Sequence, residues 1–396
     1  MNLSANLHSC RISIVVSHPI PYIIPLFRLM VKQKWNFRVA YCSLEGAQSY
    51  RDRDFATEVA WDVPLLEGYP WVCVPNISPK PGLNRFFGLV NPQLMQLVGE
   101  SDIIIVYAGY AYASFWLTAL AAKLQRKGFI FSTDTSRLSS RSGESWKAKI
   151  KPFLLPKIYN LGDAILVSTQ FGKEAIADLG IPEERIFITP FVADNEWWLE
   201  KAAEVDRTKV RQDWQIPNDA TILVFCAKLQ PWKRPQDILE AFAKANVTNS
   251  YLLYVGDGAM RSQLETRVKE LELGDRVKFL GFVNQSQLPA IYKAADLLCL
   301  CSEYEPFGVV VNEAMLCECG VIVSDRVGAR ALVEPETTGF IYPWSNIDKL
   351  RAILQLIIPQ KDKLAQMGQN AKKRMETWSP KENISAQERA IKFVNN

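Results

Sequence analysis

The feature that most constrains this chain is an alternation of short apolar runs with helix-length stretches, which occurs twice along its length. Runs such as IIIV at 103–106 and LLCL at 297–300 are apolar at every position rather than at every second one. Continuous runs of this kind suit strands buried on both faces of a parallel sheet. In the first half the spacing predicts strands at Ile12–Val16, Phe37–Tyr41, Ile103–Val106, Phe129–Phe131, Ala164–Val167 and Ile186–Ile188. Helices are expected between them, among them Tyr112–Gln125, Ser145–Tyr159 and Gly172–Leu179. The segment PFVADNEWW at 190–198 and the charged residues up to Asn218 read as a connector. A second alternation starts at Thr221, with strands ending near Cys226, Val255, Leu280, Leu300, Ser324 and Tyr342 and three helical stretches closing the chain. A chain of 396 residues exceeds one ordinary core and suits two. The expected class is therefore α/β, with two doubly wound domains facing across a cleft.

Composition narrows the class further. Hydrophobic content of 48% and charge of 22% fit a globular protein. Residues 1–190 carry 20 basic and 15 acidic side chains, a surplus of five, so the rest of a chain of net charge +4 is acidic by one. That asymmetry is small, and it favours an anionic partner or surface only for the first half. Eight cysteines do not make a disulfide framework, and the C-x-C spacings of Cys299/Cys301 and Cys317/Cys319 are too short for a structural zinc site. The cytosol is the expected compartment. The opening ten residues lack basic charge and the apolar run after them is short, so no signal peptide is expected. Residues 103–122 are uncharged for about the length of a bilayer span. Gly109 divides that stretch, which reads instead as a buried strand followed by a packed helix.

Ligands of open parallel sheets bind beyond the carboxyl ends of strands. Four consecutive strand ends in the second half carry suitable residues. The first is followed by AKLQPWKRP, where Lys228, Lys233 and Arg234 precede Pro235 at a helix start; cations there suit a phosphate, and a solvated basic loop is the plain alternative. The second runs into VGDG, whose Gly256 and Gly258 permit a tight turn. The third ends at Gly281 in FLGFV, where backbone can approach a flat ligand. The fourth delivers EYEPFGVVVNEAM, residues 303–315. Pro306 disfavours helix at Glu305, so a helix is expected from near Phe307, with Gly308 in its first turn and Glu313 about two turns along. Glu305 and Glu313 then read either as holders of two separated hydroxyl groups or as an ordinary helix-start acid and a surface residue. The four loops together match the needs of a sugar nucleotide: cations and N–H groups for the diphosphate, carboxylates for the hydroxyls.

The segments AKLQPWKRP, YVGDGAMRSQLE, VKFLGFV, EPFGVVVNEAM and VIVSDRVGARALVE resemble, in order and spacing, retaining glycosyltransferases of the GT-B fold, family GT4, over about residues 220–345. The resemblance implies two Rossmann-like domains, 1–195 for the acceptor and 196–377 for the donor, with a helix at 378–396 crossing back to the first. It implies that Lys228, where the family usually has arginine, and Lys233 bind the donor diphosphate. Lysine lacks the planar fork of arginine, which implies a looser grip at Lys228. Glu305 matches the residue that contacts donor-sugar hydroxyls, and Glu313 the acid that binds the ribose. Phe307, Gly308 and Val309 would offer backbone N–H groups, Gly256 lies in the donor loop, and Gly281 to Val283 would face the base. The first half is similar more loosely: His18, Pro21 and Tyr22 occupy the acceptor-side loop after the first strand, without the paired glycines of many relatives. The chain has only two histidines, His8 and His18, so the mid-domain histidine of the family is absent, and Asp134 in FIFSTDTSR takes its place.

The activity implied is transfer of a sugar from a nucleoside-diphosphate donor, UDP by family frequency, to an acceptor hydroxyl on a saccharide, a lipid-linked glycan or a small molecule. No metal and no nucleic-acid partner are expected. The D-x-D at Asp52–Asp54 lies in a polar stretch and reads as surface. Two rivals are a glycosidase using Glu305 and Glu313, which leaves the lysines without a task, and a non-catalytic nucleotide-sugar-binding subunit. The basic segment 137–157, with Trp146 and Phe153 among lysines, is a candidate for peripheral contact with the inner face of a membrane.

Overall fold

The computed structural model describes residues 9–47, 50–52, 57–59, 61–134 and 146–396. The chain groups into two compact units: residues 1–50, 64–191 and 380–396 form the first, and residues 51–63 and 192–379 the second.

Unit 1 is built on a seven-stranded sheet. Its strands are β1 (Ile12–Val16), β2 (Phe37–Tyr41), β5 (Trp71–Cys73), β6 (Ile103–Val106), β7 (Gly128–Thr133), β8 (Ala164–Val167) and β9 (Ile186–Ile188). Their order is β5-β2-β1-β6-β7-β8-β9, and every neighbouring pair is parallel. A two-stranded ladder outside both large sheets joins β3 (Tyr50–Asp52) and β4 (Thr57–Val59), and all of it but Tyr50 falls in unit 2. Helices α1 (Ile24–Lys32), α2 (Leu94–Gly99), α3 (Ala113–Leu124), α4 (Trp146–Tyr159) and α5 (Gln170–Ala177) fill the crossovers. The apolar stretch at 103–122 is divided as expected: β6 is fully buried, and a turn separates it from α3. The expected strands are present, and β5 is one the sequence did not suggest. Its three residues, Trp71, Val72 and Cys73, are apolar yet exposed at the sheet edge, and so short a run does not stand out from the loops around it.

Unit 2 carries a six-stranded sheet of β10 (Thr221–Cys226), β11 (Ser250–Val255), β12 (Val277–Gly281), β13 (Leu297–Leu300), β14 (Gly320–Ser324) and β15 (Gly339–Tyr342). The order is β12-β11-β10-β13-β14-β15, again all parallel. Chain order reverses direction between β10 and β13, and between β1 and β6 in unit 1, so both sheets are doubly wound and Rossmann-like. The segment expected as a connector is helical: α6 (Asn195–Ala203) and α7 (Arg207–Asp213), capped by the Asp194 and Asp206 carboxylates. Arg211 on α7 is 1% exposed, and its guanidinium donates to the carbonyls of Ala294, Asn218 and Ala220 and to Asp296. A buried cation is tolerated there because each of its three nitrogens donates and Asp296 balances the charge.

The crossover helices of unit 2 are α8 (Pro235–Ala245), α9 (Arg261–Glu270), α10 (Leu288–Ala294) and α11 (Val310–Leu316). Helices α12 (Ile347–Ile357) and α13 (Lys361–Arg374) follow β15, and the last helix, α14 (Pro380–Asn395), belongs to unit 1, where it packs on α1 and on β7 to β9. Seven of the eight cysteines are buried and Cys73 is exposed. Among the described residues, no three His, Cys, Asp or Glu side chains group as a metal site, and no helix is long and apolar enough to cross a membrane.

Candidate functional site

The reversal of strand order in unit 2 decides which loops meet. Strands β10 and β13 are neighbours in the sheet although about seventy residues separate them in the chain, and their carboxyl ends open onto the same crevice. The loop after β10 carries Lys228 and Lys233; the loop after β13 carries Glu305. The Lys233 Nζ makes an ion pair with Glu305 Oε2, and each side chain is only 14% exposed. A backbone bond from Glu303 N to Trp232 O at 2.9 Å ties the two loops together beside that pair. Arg234, in left-handed conformation at φ 51, anchors the end of the first loop through Asp237, at 2.6 and 3.0 Å.

The stretch after Glu305 departs from expectation. The helix begins at Val310, not near Phe307, and Val309 is its N-cap without any side-chain cap. The reason is that the chain first continues the sheet: Glu305 bridges Val327 in parallel, Gly328 N donates to Glu305 O at 3.0 Å and Ala329 N to Phe307 O at 2.7 Å. Gly308 then turns the chain at φ 98, where a Cβ would lie 2.9 Å from Leu300 and 3.2 Å from Glu305. Glu313 therefore lies in the first turn of α11 rather than two turns along. Phe307 is 3% exposed and its ring stacks on Trp378 at 6.4 Å, so its side chain belongs to the core.

Glu313 is half-buried, and burial pushes its carboxyl up to about 7; the Tyr292 hydroxyl, donating to Oε2 at 3.2 Å, pulls weakly the other way. Tyr292 on α10 was not among the candidates, and no spacing rule links it to Glu313, since the pairing exists only once α10 packs beside α11. At the other side of the crevice, β11 and β12 bring the two candidate glycines together: Gly256 N donates to Gly281 O at 2.7 Å. Gly256 has φ 123, and a Cβ there would sit 2.2 Å from the Ala227 carbonyl, in the loop that leads to Lys228. Gly256→Ala is accordingly expected to cost at least about 2 kcal/mol from strained backbone alone, read as a lowered urea midpoint at unchanged slope. Val283 is half-buried two residues beyond Gly281.

In unit 1 the candidates follow two strands that are one strand apart in the sheet. His18, Pro21 and Tyr22 come after β1, and Asp134 comes after β7, with β6 between the two strands. His18 is half-buried, its Nδ1 lies 3.0 Å from the Ser17 hydroxyl, and desolvation lowers it to about 4, so it is neutral near pH 7. Tyr22 meets Phe191 edge to face at 5.2 Å. Asp134 is exposed at the end of β7, and displacement of water by the surrounding protein still raises its carboxyl to about 6. Asp54 of the D-x-D and residues 137–145 of the basic segment lie outside the described residues.

Comparison with known proteins gives this arrangement a family. A model of glycosyl transferases group 1 matches residues 206–374. The D-inositol 3-phosphate glycosyltransferase of Mycolicibacterium smegmatis is 32% identical over 302 residues, covering 70% of this chain and 67% of that protein. An uncharacterised glycosyltransferase of Methanocaldococcus jannaschii is 29% identical over 217 residues; the chain spans about half of it, 55%, with 54% of its own length. HepE of Anabaena, solved with UDP, superposes with a TM-score of 0.73 at 21% identity over 96% of this chain and 98% of that one, and shares the fold. Two Rossmann-like sheets, the match to the family model and a relative matched over two thirds of its length lead to one conclusion: the chain belongs to the group 1 glycosyltransferases, family GT4, of the GT-B fold.

Proposed function

We propose that the chain transfers a hexosyl group, with retention at the anomeric carbon, from a UDP-sugar to a hydroxyl on a saccharide, a lipid-linked glycan or a small molecule. The observation that carries this reading is the ion pair of Lys233 with Glu305 across the point where strand order reverses. Lys233 has three amine donors, so it can keep Glu305 and still meet a phosphate oxygen. As the diphosphate leaves, Lys228 and Lys233 stabilise the negative charge it gains. Glu305 orients the sugar hydroxyls, and Glu313 accepts hydrogen bonds from the ribose. Gly256 and Gly281 let the backbone come close to the nucleotide, with Val283 beside the base. His18, Pro21 and Tyr22 are assigned to the acceptor, and Asp134 to the reacting centre in the place of the family's histidine. HepE, which shares the fold, has been solved with UDP-glucose, and a relative from Campylobacter jejuni, 28% identical, is named for transfer onto an undecaprenol-linked glycan.

A glycosidase reading fits less well, because an acid held in an ion pair with lysine is poorly placed to donate a proton. Calorimetric titration with UDP-, GDP- and ADP-sugars tests the donor: binding confined to UDP-sugars supports the reading, and binding to none removes it. Donor binding without turnover on any acceptor hydroxyl would leave a binding subunit instead. Because the leaving charge is assigned to lysines, turnover is expected to persist in excess EDTA, and its loss there would overturn that assignment.

A further inference from the structure

One face of the unit 1 sheet carries α2, α3, α4 and α5, whose inward residues share a single core with β1, β2 and β6 to β9. The outward side of α3 is unusual. Its exposed residues are Trp116, Leu120, Lys123 and Leu124; the other positions are buried or half-buried. Trp116, Leu120 and Leu124 follow one another at four-residue intervals, so they form a single apolar stripe, 38%, 53% and 69% exposed. A surface helix ordinarily shows charge on that side. The stripe has apolar neighbours. The 3-10 turn at Phe86–Gly88 packs on α3 and exposes Phe86 and Phe87, Met95 stands out on α2, and Phe153 and Leu154 project from α4 at 76% and 50% exposure. Eight of the fifteen large apolar side chains that are exposed among the described residues lie on this one face, too many for scattered surface residues.

The charges next to α3 are mostly positive. Lys80, Arg85, Lys123, Arg126 and Lys157 are exposed around it. Over residues 77–127 there are five basic and two acidic side chains, and both acids are already engaged: Glu100 with Arg38 at 2.8 Å and Asp102 with Arg11 at 2.8 Å. We propose that this face, centred on Trp116, Leu120 and Leu124, docks unit 1 onto an anionic lipid bilayer. Leucine and aromatic side chains enter the acyl boundary while the lysines and arginines stay at headgroup level. A second copy of the chain is a poorer occupant. A two-fold interface brings each patch against itself, which would set its cations against the cations of the other copy. Of the stretch 137–157 the patch uses only Phe153, Leu154 and Lys157.

The test is co-sedimentation of the full chain with phosphatidylcholine vesicles containing or lacking phosphatidylglycerol. Wild type is expected to sediment with the anionic vesicles and at least tenfold less with the neutral ones. Leu120→Glu with Leu124→Glu should abolish sedimentation, and Lys123→Glu should lower it by roughly fivefold or more, as loss of about 1 kcal/mol per cation near a charged surface predicts. Leu356→Glu, at an equally exposed apolar site on α12 of unit 2, should change nothing. All these positions are exposed, and unchanged thermal unfolding verifies that the variants fold. No sedimentation with anionic vesicles, or an equal loss in Leu356→Glu, overturns the proposal. So does a lipid-free dimer that the Leu120/Leu124 double variant dissolves, because the patch would then be covered by a second copy.

Discussion

Replacing Lys233 by methionine is expected to lower kcat for sugar transfer by about 10²–10³-fold, the effect of removing one preorganised donor from a developing anion. The same substitution leaves Glu305 without its cation at a side chain only 14% exposed. A fully buried acid stranded in this way costs about 3–5 kcal/mol. Residual solvent access at Glu305 reduces that to about 1–3 kcal/mol. Loss of activity and loss of stability therefore arrive together and must be separated. The double variant Lys233→Met, Glu305→Gln removes the stranded charge, so it should recover most of the stability while staying inactive. Thermal melts and initial rates on wild type, both single variants and the double variant complete the cycle. A double variant that turns over like wild type would sink the assignment of Lys233 to the leaving diphosphate.

The second large effect concerns Glu313 and pH. Burial holds its carboxyl near 7, so the free protein is about half neutral there at neutral pH. Ribose hydroxyls are donors and prefer the carboxylate. Binding of a UDP-sugar should therefore weaken as pH falls below 7, approaching tenfold per pH unit, with release of a proton measurable as a buffer-dependent calorimetric heat. A UDP-sugar is the better probe than UDP, whose terminal phosphate has its own second ionisation near about 6. Glu313→Ala should weaken the donor by roughly 10²-fold, from loss of charge-assisted bonds worth about 1.5–3 kcal/mol each. Glu313→Gln makes the stability side visible. The folded-state value lies above the ordinary 4.5, so the stabilising neutral form is complete below that pH and lost as pH rises through 7. Glutamine keeps the volume and an acceptor for Tyr292, so the ligand-free variant should melt higher than wild type at pH 8 and show a flatter profile. Donor affinity independent of pH between 6 and 8 would remove Glu313 from the ribose.

The sequence carried the architecture because parallel strands covered on both faces are written as unbroken apolar runs. β10, β11, β13 and β14 could be read residue by residue for that reason, whereas β5, only three residues at an exposed edge, is too short a run to stand out. The order of the loops that carry the candidate residues was equally legible, since each follows its strand directly. What could not be read was the local path after Glu305. Nothing in EPFGVVVNEAM announces the bridge to Val327, and that bridge delays the helix to Val310 and draws Glu313 into its first turn.

By itself, then, the sequence determined two doubly wound sheets, the family resemblance and the chain positions of Lys228, Lys233, Glu305 and Glu313. All of these follow from local runs and spacings. Only the tertiary structure decided which of these residues touch. The pairing of Lys233 with Glu305, the contact of Tyr292 with Glu313, the joining of Gly256 to Gly281 and the apolar face of α3 all arise between elements distant in sequence. The physical reason is that strand order sets which loop ends share a crevice. That order is chosen by packing and crossover geometry over the whole sheet, and no short segment encodes it.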